Sequence, residues 1–283
     1  PEDRRVRNLS QLLGGRIQPM KILITGGAGF IGSHLAEGLL AANHQVRIID
    51  NLSTGSFENI RHLENHPNFT YTIDSILDSD VLNTVAHGVD QIYHLAAAVG
   101  VRLIVDEPLR TLQTNIEGTE RVLKVANANR AKILIASTSE IYGKNTKAPF
   151  GEDDDRILGP TTKTRWSYST SKAVDEILAL AYHKEKRLPV VIVRLFNTCG
   201  PRQTGQYGMV IPRFVQQALK NEDITIYGDG KQTRSFTYVG DTVRALMGLM
   251  ENKNAEGRIF NVGNDREISI ENLAKLIIKM TGS

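Results

Sequence analysis

The chain has one cysteine, no apolar run long enough to span a bilayer, and almost no excess of charge. A lone thiol, Cys199, excludes an internal disulfide framework and fits a reducing compartment, so a cytoplasmic location is expected. The most apolar stretch, residues 22–42, is rich in glycine and interrupted by His34 and Glu37, which excludes a membrane-spanning helix there. A net charge of +3 over 283 residues offers no electrostatic footprint for nucleic acid or a membrane surface, and neither is expected as a partner. The histidines, His34 and His94 among them, lack metal-ligand spacing, so no metal is expected. Internal repeats and low-complexity tracts are also missing. The first 19 residues, "PEDRRVRNLSQLLGGRIQP", are too polar for a secretory signal, and Glu2 and Asp3 argue against a transit peptide. They are read as an unstructured or expression-derived extension, with Met20 as the natural start.

What remains is an ordinary globular balance, 41% hydrophobic and 23% charged, with length for one large core or two smaller ones. Short β-branched runs at 21–25, 45–49, 69–73, 91–95, 132–137 and 189–194 alternate with helical spacing at 30–42, 78–86, 108–128 and 168–187. That alternation predicts an α/β fold: a doubly wound parallel sheet with helices on both faces. The pattern loosens after about residue 196. A helix at 211–220, a short strand at 224–227 and a last helix capped by Ser269 are expected there, as a smaller mixed cap on the carboxyl side of the sheet. The division is therefore 20–195 for the sheet domain and 196–283 for the cap, with about 236–243 and 258–263 returning to the sheet domain.

In "KILITGGAGFIGSHLAEGLL", Gly26, Gly29 and Gly32 follow the first strand and open the first helix. A tight turn, a close backbone approach to a pyrophosphate and close helix–strand packing each require a glycine, and the helix N-terminus faces the anion. The strand–turn–helix context makes this a dinucleotide cradle. Asp50 ends the second strand, where a carboxylate accepts hydrogen bonds from the adenosine ribose and repels a 2′-phosphate; NAD is expected rather than NADP. The plainer reading is that Asp50 caps the turn "NLSTG". Asp74, after the third strand, either meets the adenine or is a simple loop residue.

"WSYSTSK" sets Tyr168 and Lys172 four apart, on one face of a helix. Free tyrosine, with a pKa of about 10, is a poor base at neutral pH, and a neighbouring ammonium favours the phenolate. Tyr168 can then take a proton from a sugar hydroxyl as hydride leaves the same carbon. "STSEIYG" places Ser137, Thr138, Ser139 and Glu140 at the end of an apolar strand, the end that faces the crevice in such sheets. Thr138 or Ser139 can hydrogen-bond the hydroxyl being oxidised. Glu140 is either a second acid or base, or a surface carboxylate paired with a cation.

These motifs, with "HLAA" at 94–97, "TNIEGT" at 114–119, "RLFNTCGPR" at 194–202 and "GDGKQTRSFTYVGD" at 228–241, resemble the extended short-chain dehydrogenase/reductase family, in its nucleotide-sugar epimerase, dehydratase and decarboxylase branch. The resemblance runs from Met20 to the end. It implies a Rossmann-type fold, bound NAD that is reduced and reoxidised in each cycle, and a role for each matched position. Thr138, Tyr168 and Lys172, with Ser139 and Glu140, match catalytic positions. Gly26, Gly29, Phe30, Ile31 and Gly32 match cofactor contacts, as do Asp50, Asn51, Thr54, Gly55, Asp74, Leu95, Ala96 and Ala97. Asn197, Arg202 and Arg234 match positions that hold the nucleotide diphosphate or sugar. Family members pair as homodimers through helices corresponding to 108–128 and 168–187.

Ser139–Glu140 and "GPTTKTRWSYSTSK" resemble UDP-glucuronate decarboxylases, which points to a UDP-linked substrate. "GPRQTGQYGMVIPRF" reads more like an epimerase, and a dehydratase shares the same first oxidation. The chain also ends roughly 30–50 residues earlier than most relatives on domain-size expectations. A non-catalytic NAD-binding sensor on the same fold is the alternative from another class, opposed by the presence of Tyr168 and Lys172.

Overall fold

The computed structural model describes residues 18–98, 107–205 and 209–283. The expectation for residues 1–17 lies outside them. Seven parallel strands form the central sheet: β1 (Lys21–Thr25), β2 (Gln45–Ile49), β3 (Phe69–Thr72), β4 (Gln91–His94), β5 (Lys132–Thr138), β6 (Val190–Leu195) and, last in sequence, a strand at Arg258–Val262. That last strand pairs with β6 at the sheet edge, so the chain returns to the sheet after building the cap. β1 lies between β2 and β4. The strand order reverses at β1, and a crevice opens there beyond the carboxyl ends of the strands.

The strands are nearly continuous runs of Ile, Val and Leu because both faces of the sheet are covered. Successive residues serve opposite layers. Ile22, Ile24, Val46 and Ile48 pack with Leu35 and Leu39 of helix α1 (Phe30–Ala41). Leu23, Ile49, Ile92 and Ile133 face the other way, toward Leu82 of α2 (Ser79–Ala86) and Val122 and Ala126 of the next helix. That helix, α3, spans 108–129, and its residues Gln113–Glu117 form a π-turn that the periodicity does not announce. The extra residue in the turn carries the buried Asn115, which accepts a hydrogen bond from the Ala98 N–H and donates to Ser171. Ser171 belongs to α4 (Trp166–Lys186).

The cap contains β7 (Thr198–Cys199), α5 (Val210–Leu219), β8 (Thr233–Ser235) and β9 (Thr237–Tyr238). Next come α6 (Val239–Glu251), the edge strand β10 (Arg258–Val262), β11 (Glu267–Ser269) and α7 (Ile270–Thr281). α6 returns to the sheet domain, packing Val243 and Met247 beside Gly38 of α1. Phe214 of α5 and Leu273 and Ile277 of α7 form a separate small core. The strand expected at 224–227 is irregular chain. Ile224 and Ile226 pack onto this small core, but the segment has no ladder partner. Ser269 caps α7 through a hydrogen bond from the Asn272 N–H, as its position foretells.

Candidate active site

The first turn of α1 forms one wall of a cleft of about 390 Å³ at the switch point. Gly26 sits at φ +73°, and an added Cβ there would lie 2.8 Å from the Ala96 nitrogen. At Gly32 it would lie 2.2 Å from the Gly26 carbonyl oxygen. Only glycine permits this turn and this helix–strand approach. No side chain caps α1, and Gly29, Phe30, Ile31 and Gly32 all line the cleft. The unsatisfied N–H groups of a helix start are thus presented to whatever anion enters.

Asp50, Asn51 and Thr54 continue this wall, and Asp74 borders it. Asp50 caps its turn and lines the cleft at once: it accepts from the Leu52 N–H at 2.8 Å and from the Ala28 N–H at 3.0 Å. Burial pushes its carboxyl up, and these backbone bonds work against that. Asp74 accepts from the Ser75 N–H. Gly55 is packed behind the wall, where a Cβ would meet Ala28 and the Asp50 carboxylate. Leu95, Ala96 and Ala97 form the floor. The residues present therefore fit a dinucleotide: an uncapped helix end, a glycine turn without room for a side chain, and a carboxylate after β2 on the cleft wall.

The opposite wall carries the chemistry. Thr138, Ser139, Glu140 and Tyr168 line it. Thr138 ends β5 and caps the short 3₁₀ turn Ser139–Tyr142 by accepting from the Glu140 N–H. Glu140 is exposed as a residue, yet its carboxyl lies among cleft walls whose desolvation raises its pKa, with Arg165 opposing. Tyr168 is buried. Burial holds its hydroxyl well above the ordinary phenol range, the Glu140 and Asp175 carboxylates add to that, and a hydrogen bond from Thr138 opposes them.

Lys172 departs from the simple expectation that its ammonium serves the phenol. It is buried on the same face as Tyr168, but its Nζ donates to Asp175 Oδ2 at 2.7 Å and it does not line the cleft. Ser137, the first hydroxyl of "STSEIYG", lines the cleft as well, but its hydroxyl is committed. It donates to Glu176 at 2.5 Å, and Glu176 is held by both arms of Arg194 at 2.8 and 2.9 Å. Sequence reasoning assigned nothing to Asn115, Asp175, Glu176 or Arg194. The only signal was the unexplained polarity of "TNIEGT" and "SKAVDE" inside otherwise apolar faces.

The three residues expected to hold the nucleotide diphosphate or sugar are scattered. Asn197 borders the cleft and donates to the Ser235 carbonyl. Arg234 lines a second cavity of about 360 Å³ that shares Asn197, Thr198, Gln203 and Met209 with the first. Arg202, in the left-handed region at φ +68°, reaches the other way, to Ser33 and Glu37 of α1.

His94 sits beneath the floor, bonded through its two ring nitrogens to Thr25 at 2.7 Å and Thr119 at 2.9 Å. Burial, and then the Lys172 charge, push its pKa down to about 3, so it is neutral. Among the described residues no three His, Cys, Asp or Glu side chains gather to hold a metal, and no helix is long and apolar enough to cross a membrane.

Comparison with known proteins agrees with this fold. The NAD dependent epimerase/dehydratase family matches residues 22–263. A UDP-N-acetyl-alpha-D-glucosaminuronate decarboxylase of Bacillus cytotoxicus is 46% identical over 93% of this chain and 81% of its own length. UDP-glucuronic acid decarboxylase 1 of Xenopus tropicalis is 38% identical over 100% of this chain and 68% of its own. The solved UDP-glucuronic acid 4-epimerase of Bacillus cereus, in complex with UDP-glucuronic acid and NAD, is 34% identical, with a TM-score of 0.85 over 93% of this chain and 84% of that one. The chain belongs to the NAD-dependent epimerase/dehydratase family of enzymes, and its cofactor is NAD.

Proposed function

We propose that this enzyme decarboxylates a UDP-linked hexuronate, UDP-glucuronate or a close analogue, through a transient 4-ketone. The observation that carries this reading is Glu140 beside Tyr168 in the cleft, its carboxyl biased toward the protonated form by desolvation. A simple epimerase returns hydride to the opposite face of the ketone and needs no such extra acid. The similarity to two uronate decarboxylases supports the same choice.

Held along the glycine turn at 26–32 and Asp50, bound NAD would supply reversible hydride transfer at C4 of the sugar. Tyr168 receives the proton of the C4 hydroxyl, with Thr138 or Ser139 fixing that hydroxyl by hydrogen bonds. The 4-ketone makes the C5 carboxylate a β-keto acid. The C5–carboxyl bond breaks, its electrons pass into the enolate, and carbon dioxide departs. Glu140 supplies the proton that C5 then needs, and Tyr168 gives its own proton back as C4 is reduced. Asn197, on the wall that the two cavities share, and Arg234, in the second, bind the nucleotide diphosphate or the sugar carboxylate.

We also propose a homodimer through α3 and α4 and a cytoplasmic location. Leu109 and Ile177 support the former, as large apolar side chains 68% and 63% exposed on these helices. The single cysteine supports the latter.

The test is incubation with UDP-glucuronate, UDP-glucose and dTDP-glucose, with products read by mass and sugar stereochemistry. Loss of the mass of carbon dioxide from UDP-glucuronate is expected. Loss of water from a glucose nucleotide, or inverted stereochemistry at unchanged mass, moves the assignment to dehydratase or epimerase.

A further inference from the structure

The cleft takes a dinucleotide whose bridging phosphates are anionic, yet its own charged residues are mostly acidic. Asp50, Asp74 and Glu140 line it, and among the described residues that do so Arg110 is the only lysine or arginine. No motif announces Arg110. It stands in the first turns of α3, with its side chain 51% exposed, and its Nη1 donates to Glu107 Oε2 at 2.9 Å. An exposed pair of this kind holds a side chain weakly, so the guanidinium can leave it at little cost.

α3 fixes which end of the cleft Arg110 reaches. Arg121 Nη1 donates to the Leu77 carbonyl at 2.6 Å, and an added Cβ at Gly118 would lie 2.6 Å from Ile76 Cδ1. This face of the helix is therefore seated on the loop after β3. Thr114 and Arg110 stand about one and two turns earlier on the same face, and both line the cleft, as do Asp74, Ser75 and Ile76 of that loop. The loop adjoins Asp50, whose carbonyl accepts from the Asp74 N–H at 3.1 Å. With a pyrophosphate on the glycine turn and a ribose at Asp50, the adenine belongs at this end.

We propose that Arg110 is a cofactor-binding residue: its guanidinium releases Glu107 and lies flat on the adenine ring, whose other face rests on Ile76. The inference rests on the NAD site and not on the proposed reaction. The pyrophosphate is met by the N–H groups that open α1, so the base is the part of the cofactor left for Arg110. A guanidinium is planar and weakly hydrated, and it stacks on aromatic faces as an ammonium does not. The Asp50 and Asp74 carboxylates draw it toward the same end of the cleft. Ile76 is buried and apolar, a platform suited to the second face of the ring.

The test is the release of NAD labelled with carbon-14 in the adenine from the holoenzyme, chased with excess unlabelled NAD and followed by filter binding. Arg110→Ala should release the label about 5–30-fold faster than wild type. Arg110→Lys should release it nearly as fast as Arg110→Ala, because it keeps the charge without the plane. Glu107→Gln, which also breaks the pair, should release it no faster than wild type. ADP, which carries the adenine without the nicotinamide, should weaken as a competitor by the same factor in Arg110→Ala. A wild-type release rate in Arg110→Ala would overturn the proposal. So would a wild-type rate in Arg110→Lys, which makes the contact one of charge alone. Equal acceleration in Glu107→Gln would overturn it too, since the pair would then only hold the start of α3, as would an unchanged affinity for ADP. The readout needs no turnover. These shifts in a protein that leaves every UDP-hexuronate unchanged would sink the proposed reaction and leave the role of Arg110 standing.

Discussion

The Lys172–Asp175 and Arg194–Glu176 pairs are both buried and both take their carboxylate from α4, yet they belong to different parts of the molecule's work. Arg194 is clamped by Glu176 and also donates to the Tyr142 hydroxyl and the Glu152 carbonyl, joining β6, α4 and the segment after β5. Its polar atoms are satisfied by scaffold alone. The Lys172–Asp175 pair stays within α4, the Lys172 Nζ donating to Asp175 Oδ2 at 2.7 Å. The Arg194–Glu176 pair fastens separate segments, whereas the Lys172–Asp175 pair spans one turn of α4, the helix that carries Tyr168.

The contrast can be broken from either side. Tyr168→Phe should lower turnover by about 10²–10⁴-fold while NAD remains bound and unfolding is little changed, measured by steady-state assay and denaturant titration. Near-normal turnover would remove Tyr168 as the base. Glu176→Gln should act in the opposite way. It leaves Arg194 buried without its counter-charge and should destabilise the fold by about 3–5 kcal/mol in denaturant unfolding, with turnover per folded molecule little altered. Unchanged stability would dissolve the distinction between the two pairs.

His94 gives a smaller effect with a definite sign. Its pKa is about 3 when folded and 6.5 as the reference value, so the unfolded chain binds the extra proton between them. Its stabilising contribution is complete above pH 6.5 and is lost as pH falls toward 3, by about 2–3 kcal/mol at pH 4.5. His94→Gln should flatten that part of the stability–pH curve. Smallest of all, Arg202→Ala removes a part-exposed pair with Glu37 and should cost at most ~1 kcal/mol after solvent screening. A larger loss of nucleotide-sugar affinity than of stability in that variant would show that Arg202 leaves Glu37 for the substrate.

Much of the fold was legible because each central strand is a short β-branched run between helical patterns. The glycine turn was legible because no other residue fits it. Tyr168 and Lys172 were legible as a pair, but not the neutralisation of the lysine, since an Asp at the next turn reads as an ordinary helical residue until burial is known. Ser137 looked like a member of the site. It does border the cleft, but its hydroxyl is held by Glu176, a buried neighbour that the sequence alone does not place beside it. Arg202 donates to Ser33 and pairs with Glu37 of α1, contacts that motif position does not announce. The π-turn at Gln113–Glu117 left no periodic trace, because one added residue changes the phase of a helix without changing its composition.

The central claim is that Tyr168 carries out proton transfer beside a cofactor that is reduced and reoxidised on each turnover. Rapid mixing of the NAD-loaded enzyme with UDP-glucuronate, followed at the reduced-nicotinamide absorbance band, tests it most directly. A transient rise in the wild type that is absent from Tyr168→Phe is the expected result. An equal rise in both, or carbon dioxide release without any rise, would contradict it.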